Sequence, residues 1–245
     1  MTSFEERARI AGDTQEPMQQ PILIVLHQEN STPGRIGNAL LDLGFALDIR
    51  RPRFGDELPP TMAAHTGAII FGGPMSANDD DDYIRREIDW IGVPLKEDKP
   101  FLGVCLGAQM LARHLGGKVF KHPHGHAEIG YYPVRPTTAG LAVVEAWPEC
   151  VYQWHREGFD LPAGAELLAE GDTFEVQAIR TGRAFALQFH PDVTHAMMHR
   201  WTTQGHERMA LPGAKPRHEH FADRAVYDYS ARAWLSVFLE RWIGQ

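Results

Sequence analysis

Cysteine is rare in this 245-residue chain, and one of its two cysteines lies in a pattern typical of a catalytic nucleophile. The segment GVCLG (103–107) follows an apolar run and precedes a stretch with helical spacing. Flanking glycines let the backbone turn sharply from a strand into a helix, and the helix N-terminus favours a thiolate. The segment therefore predicts a reactive Cys105. The alternative is a buried cysteine that serves only as a small apolar side chain.

A cysteine nucleophile needs a base, normally histidine, which a third polar group holds in place. His190 follows the apolar run AFALQF and precedes Pro191 and Asp192. Proline ends the strand, and the carboxylate of Asp192 can accept a hydrogen bond from the second ring nitrogen of the histidine. We therefore predict that Cys105, His190 and Asp192 form a catalytic triad.

The elements that must bring these residues together alternate between strand and helix up to residue 117. Such alternation predicts an α/β fold with a doubly wound, mostly parallel sheet and helices on both faces. We expect parallel strands within 21–29, 45–51, 66–74 and 100–104, and helices within 35–43, 79–95 and 108–116.

After residue 117 the sequence pattern no longer alternates between strand and helix. Short strand-like pieces separated by turn residues predict an added antiparallel hairpin region, and amphipathic helices follow. We expect an N-terminal arm at 1–20 and a single domain at 21–245. The C-terminal helical extension of that domain covers about 201–245.

Three separated motifs together resemble the class I, or triad, glutamine amidotransferase domain, as in the glutaminase part of GMP synthase. They are G-x-C-x-G-x-Q before a helix, FGGP upstream, and QFHP followed by an acid. The resemblance covers roughly residues 20–200 and implies a flavodoxin-like sheet. It also implies a cysteine that attacks the side-chain amide of glutamine and releases ammonia through a γ-glutamyl thioester. The family usually has glutamate where this chain has Asp192, whose side chain is one methylene shorter.

The same resemblance implies roles for residues around the thiol. Backbone N–H groups of Gly73 and Leu106 are expected to form the oxyanion hole, which stabilises the charge that develops on the attacked carbonyl oxygen. The simpler explanation of Gly72 and Gly73 is an ordinary turn. The simpler explanation of Gln109 is a helical glutamine that faces solvent. We expect substrate-binding residues at Gly72, Gln109, Gln153 and Trp154.

Four further features have simpler explanations than a site. The histidines of HPHGH (122–126) fit a solvated turn, and Asp79–Asp82 fit the first turn of a helix, where carboxylates complement the helix dipole. His155 is expected to have a structural or pocket-wall role, and Cys150 no catalytic one. We therefore expect neither a metal site nor a cofactor.

Composition limits the partners. The formal net charge is −8 and no run of Lys and Arg occurs, so nucleic-acid binding is not expected. The first 20 residues contain no apolar signal-peptide region, and no later run approaches the length of a membrane span. We predict a cytoplasmic protein that acts on a small molecule.

The reaction admits several hypotheses. The protein could be a glutaminase that passes ammonia to a separate synthetase chain, because no nucleotide-binding motif occurs in its own sequence. It could also be a γ-glutamyl hydrolase or peptidase acting alone on a γ-glutamyl conjugate. A third hypothesis is a DJ-1-like redox protein or chaperone. Such proteins also have a cysteine on the turn from a strand into a helix, but they lack the late His-Pro-acid segment. A catalytically degenerate binding module is the remaining alternative.

Overall fold

The computed structural model describes residues 19–244, so all but the last two residues of the predicted 1–20 arm lie outside the described residues. Twelve strands occur in this part of the chain. In chain order they are β1 (Ile22–Val25), β2 (Leu47–Arg50), β3 (Gly67–Ile70), β4 (Phe101–Val104), β5 (Val119–Lys121), β6 (Glu128–Pro133), β7 (Arg135–Pro136), β8 (Cys150–His155), β9 (Glu157–Phe159), β10 (Glu166–Glu170), β11 (Val176–Thr181) and β12 (Ala184–Leu187).

Eight of these strands form one mixed sheet in the order β2-β1-β3-β4-β12-β11-β10-β7. The first five are parallel to one another, and the remaining pairings are antiparallel. Two further antiparallel pairs, β5 with β9 and β6 with β8, lie outside this sheet. The mostly parallel, doubly wound sheet and the added antiparallel region are thus confirmed.

Seven α-helices of the described residues connect and cover these strands. Two 3-10 turns, Pro52–Phe54 and His206–Ala210, accompany them. The helices are α1 (Gly34–Asp42), α2 (Asp82–Trp90), α3 (Gly92–Lys96), α4 (Leu106–His114), α5 (Thr138–Val143), α6 (His195–Gln204) and α7 (Arg217–Gly244).

The central strands β1, β3, β4 and β12 are buried on both faces, as their uninterrupted apolar character predicts. Alternate residues of β1 belong to two separate apolar clusters, because successive strand side chains point to opposite faces. The first cluster includes Ile22 and Ile24 and is covered by α1 and α7; the second includes Leu23 and Val25 and is covered by α2 and α4. Helices therefore lie on both faces, as expected.

Two helix boundaries differ from those expected from the sequence. The segment predicted as one helix at 79–95 forms two, α2 and α3, and the first ends at Trp90. Pro94 explains the interruption, because a proline ring clashes with the carbonyl four residues earlier, which here is that of Trp90. The segment ADRAVYDYSARAWLSVFLERWI (222–243) predicts the last helix, which instead begins at Arg217.

Helix α7 reaches the centre of the sheet. The indole N–H of Trp242 donates a hydrogen bond of 3.1 Å to the carbonyl of Phe101, the first residue of β4, and Trp242 is fully buried. Within residues 19–244 no helix combines the length and the apolar character that crossing a membrane requires.

Candidate active site

Cys105 lies on the sharp turn between β4 and α4. Its φ of 52° and ψ of −103° place a non-glycine residue in a sparsely populated backbone conformation. The flanking glycines make the turn possible, because a β-carbon at Gly103 would overlap the backbone of Gly107, and one at Gly107 would overlap the carbonyl of Ile70. The G-x-C-x-G spacing is thus a steric requirement of this turn.

The strand leading to His190 ends beside this turn. β12 pairs with β4 in parallel, with Leu187 opposite Val104, and the backbone N–H of Cys105 donates to the carbonyl of Leu187 at 2.8 Å. The carboxyl ends of parallel strands meet at one edge of a sheet, which is where open α/β sheets bind ligands. The register therefore brings the cysteine and the histidine, 85 positions apart in the chain, to the same edge.

His190 contacts both proposed partners. Its Nδ1–H donates to Oδ1 of Asp192 at 3.0 Å, and the ring also lies beside Cys105, with which it interacts electrostatically. All three side chains are almost fully buried, at 5% exposure or less. The aspartate thus reaches the histidine directly, although its side chain is shorter than the glutamate usual in the family.

The backbone around Asp192 brings its carboxylate close. The carbonyl oxygen of Asp192 accepts a hydrogen bond of 2.8 Å from the backbone N–H of Arg35, at the start of α1. Gly34 has a φ of +54°, and a β-carbon there would overlap that same carbonyl. A glycine at the start of α1 therefore permits this close approach.

The pKa of His190 reflects these neighbours. Burial alone would lower the pKa, because it disfavours the charged imidazolium. The negative charge of the Cys105 thiolate and the carboxylate of Asp192, each also a hydrogen-bond partner, outweigh burial and raise the pKa of His190 to about 10. The site therefore favours the charged imidazolium form of His190. In contrast, burial raises the pKa of the Cys150 thiol, which keeps that cysteine protonated.

The FGGP loop follows β3 and lies against both His190 and the start of α4. A β-carbon at Gly72 would lie only 2.8 Å from Cε1 of His190, and one at Gly73 only 3.0 Å from the side chain of Leu106. Both glycines are therefore needed for the loop to approach the turn at Cys105 closely. Gly73 and Cys105 line one cleft, whereas Leu106 is not among the residues that line it.

A buried pair that the sequence analysis did not single out supports this loop. Nδ1–H of His27 donates to the carbonyl of Gly72 at 3.2 Å, and Nε2 of the same ring lies 2.8 Å from Oε2 of Glu87. Both side chains are completely buried. The sequence feature that points to His27 is its position directly after the apolar run of β1, which ends on the same edge of the sheet as Cys105.

A cleft of about 480 Å³ opens over Cys105 and His190. Of the residues predicted to bind substrate, Gly72 and Trp154 line it. Its wall also contains residues that belong to none of the motifs and have no recognisable pattern of their own. These are chiefly Phe54, Met197, Arg200, Trp201, Gln204 and Arg208.

Two predicted substrate-binding glutamines instead have partners inside the protein. The amide of Gln109 donates to the carbonyl of Glu157 at 2.8 Å and to the side chain of Gln188 at 3.2 Å. The amide of Gln153 donates to the side chain of Gln177 at 2.6 Å. Neither is among the residues that line the cleft, so a role for these side chains in the cleft is not supported.

The other predicted polar features lie outside the cleft. His155 is buried, with Nε2 3.0 Å from a carboxylate oxygen of Glu128 and Nδ1–H donating to the carbonyl of Glu157. Asp82 is the first residue of α2, preceded by the rest of the acidic run. The rings of His122, His124 and His126 contact one another. Among residues 19–244, no group of three or more potential ligands has a geometry suited to a metal ion.

Comparisons with known proteins agree with this geometry. The family model for "Glutamine amidotransferase class-I" matches residues 27–205. The glutamine amidotransferase-like protein YfeJ of Salmonella typhimurium is 28% identical over 180 residues, which are 69% of this chain and 74% of that protein. The glutamine-hydrolysing GMP synthase of Caldicellulosiruptor saccharolyticus is 33% identical over 188 residues, which are 73% of this chain and 34% of that protein. In the GMP synthases the match covers only about a quarter to a third of the protein.

Solved structures give the same result. A glutamine amidotransferase from Methylobacillus flagellatus superposes with a TM-score of 0.86 at 27% identity, covering 92% of this chain and 95% of the other. One from Thermotoga maritima superposes with a TM-score of 0.82 at 27% identity, covering 94% of this chain and all of the other. Because the family model matches well over half of its length, the chain belongs to the class I glutamine amidotransferase family.

Proposed function

We propose that this protein hydrolyses the γ-amide of glutamine or of a γ-glutamyl amide through a cysteinyl thioester. Cys105 is the nucleophile, His190 the general base and acid, and Asp192 the group that orients the imidazole. The observation that carries the proposal is the position of His190, which is hydrogen-bonded to Asp192 at 3.0 Å and lies beside Cys105.

The reaction proceeds in two steps. The thiolate of Cys105 attacks the γ-carbonyl carbon, and the C–N bond breaks as the imidazolium of His190 donates its proton to the leaving nitrogen. Water then attacks the thioester, His190 accepts a proton from that water, and the C–S bond breaks to give glutamate and the free thiolate. The backbone N–H groups of Gly73 and Leu106 stabilise the oxyanion formed in each step.

Covalent labelling tests this mechanism. The glutamine analogue 6-diazo-5-oxo-norleucine alkylates a nucleophile that attacks at the γ position, and mass spectrometry locates the adduct. We expect one adduct, on Cys105, and loss of both labelling and hydrolysis in Cys105→Ala. Cys150→Ala is the matched control and is expected to be labelled normally, because Cys150 is not among the residues lining the cleft. A folded protein that carries no label at Cys105 would refute the proposal.

Similarity to the GMP synthases favours a second candidate, in which the released ammonia passes to a separate synthetase chain. The matched relatives are named for glutamine hydrolysis coupled to GMP synthesis, and the match covers only part of them. Hydrolysis measured on the isolated chain separates the two candidates. A full rate without any added protein supports independent action, whereas a rate that rises strongly with an ATP-dependent amidating partner supports the second candidate.

A further inference from the structure

One wall of the cleft is formed by residues that follow the triad in the chain. Arg200 and Trp201 lie in α6, and Arg208 lies in the 3-10 turn after it. Clefts of roughly 300–1,000 Å³ hold drug-sized ligands. At about 480 Å³ the cleft is larger than the γ-amide of free glutamine requires. The additional wall can therefore contact a substrate group beyond the γ-glutamyl moiety.

The position of His190 identifies which half of the substrate this wall contacts. Nδ1 of the ring faces Asp192, so Nε2 faces the cleft and gives its proton to the leaving nitrogen; a β-carbon at Gly72 would lie 3.5 Å from that Nε2. The leaving nitrogen must lie within about 2.6–3.2 Å of Nε2 for proton transfer. The surface next to the ring is Trp201, whose centroid is 4.9 Å from that of the imidazole. The wall that contains Trp201 therefore lies next to the leaving group.

The charges on this wall suit an anion. Arg200 and Arg208 are half-buried, and within residues 19–244 neither guanidinium has a hydrogen-bond or ion-pair partner. Arg53, also on the cleft, donates instead to the carbonyl of His27 at 3.3 Å. Arginine binds carboxylates well, because its planar N–H groups match the two carboxylate oxygens. Two unpaired guanidinium groups on one wall thus provide N–H donors for a carboxylate.

Acidic side chains on the cleft do not neutralise this wall. Glu29 and Glu207 also line the cleft, but both are exposed to solvent. The carboxylate of Glu207 lies 3.8 Å from Nδ1 of His206, which is also exposed. Trp154 packs against Trp201 with 5.8 Å between the ring centroids, so the guanidinium groups border an aromatic surface. An amine with both an apolar group and a carboxylate complements this wall.

We propose that the wall binds the amine half of a γ-glutamyl amino acid, with its carboxylate on Arg200 and Arg208 and its side chain against Trp154 and Trp201. This inference rests on the proposed function, which it narrows to a substrate class. The net reaction consumes one γ-glutamyl amino acid and one water and yields glutamate and the free amino acid. The proton that His190 gives to the leaving nitrogen is recovered from the water that cleaves the thioester.

Two substrates that differ only in the carboxylate test the inference. They are γ-glutamylphenylalanine and γ-glutamylphenethylamine, and the measurement is kcat/KM for each. We expect at least a tenfold preference for the first, and a much smaller preference in Arg200→Gln and in Arg208→Gln. Arg232→Gln is the matched control, because Arg232 is exposed on α7 away from the cleft, and its preference should equal that of the unchanged protein.

A second measurement does not depend on the variants folding. Phenylalanine and phenethylamine are compared as inhibitors of hydrolysis by the unchanged protein, and we expect phenylalanine to bind at least tenfold more tightly. Equal kcat/KM values for the two amides, or equal inhibition by the two amines, would overturn the inference. Glutamine hydrolysis with labelling of Cys105 would survive that result, whereas absence of both would refute the proposed function itself.

Discussion

Asp192→Asn removes the carboxylate that holds His190 while nearly preserving the size of the side chain. The hydrogen bond that it replaces is 3.0 Å long and almost completely buried. A hydrogen bond to a charged group contributes about 1.5–3 kcal/mol, and one pKa unit corresponds to about 1.4 kcal/mol. We therefore expect the pKa of His190 to fall by about 1–2 units from its value of about 10.

The same change has a consequence for stability that depends on pH. The pKa of His190 in the folded protein is raised above the ordinary value of 6.5, so the imidazolium stabilises the fold fully below pH 6.5. This contribution is lost as the pH rises through about 10. In Asp192→Asn it is smaller by about 1.5–3 kcal/mol, and it disappears at a correspondingly lower pH.

Nuclear magnetic resonance of ¹⁵N-histidine-labelled protein measures the pKa, and urea unfolding at several pH values measures the stability. Asp192→Glu keeps the negative charge and should keep the pKa of His190 above 6.5. Asp80→Asn removes an exposed carboxylate outside the cleft and should leave the pKa of His190 unchanged. An unaltered pKa of His190 in Asp192→Asn would show that the aspartate does not orient or charge the imidazole.

Two further predictions concern the support of the elbow. Gly107→Ala places a β-carbon against the carbonyl of Ile70 and should reduce the free energy of unfolding by at least about 2 kcal/mol. Gly244→Ala, with open space around it, should leave the free energy of unfolding unchanged. Equal urea midpoints for the two variants would contradict this prediction. Glu87→Gln weakens the buried contact with His27 at 2.8 Å and should lower the kcat for glutamine about tenfold with little change in KM. The reason is that it loosens the FGGP loop, whose Gly73 N–H we propose to stabilise the oxyanion. A change in KM alone would indicate that the pair does not position this loop.

The sequence carried enough information to locate the elbow, since glycines on both sides of a cysteine after an apolar strand have few steric explanations. It also located His190, because a histidine at a strand end followed by proline and an acid has a recognisable pattern. The interruption at Trp90 does not follow from the helical spacing of 79–95, because that spacing continues through Pro94.

The wall of the cleft could not be predicted in the same way. Whether Arg200 and Trp201 face the site depends on how α6 packs, and no local pattern specifies that packing. The buried contact between His27 and Glu87 joins residues 60 positions apart, so no local sequence pattern indicates the role of either residue. For Gln109 the family resemblance suggested the substrate pocket, whereas its amide bonds to residues of two other segments.

The pairing of β4 with β12 has a consequence for the newly made chain. Cys105 emerges from the ribosome long before His190, because the strands that carry them are separated by some 80 residues of antiparallel and helical structure. Until β12 has been synthesised and inserted beside β4, the thiol has neither its imidazole partner nor its carboxylate. A partly translated chain therefore carries only an ordinary cysteine, and chemical reactivity is acquired late in biosynthesis.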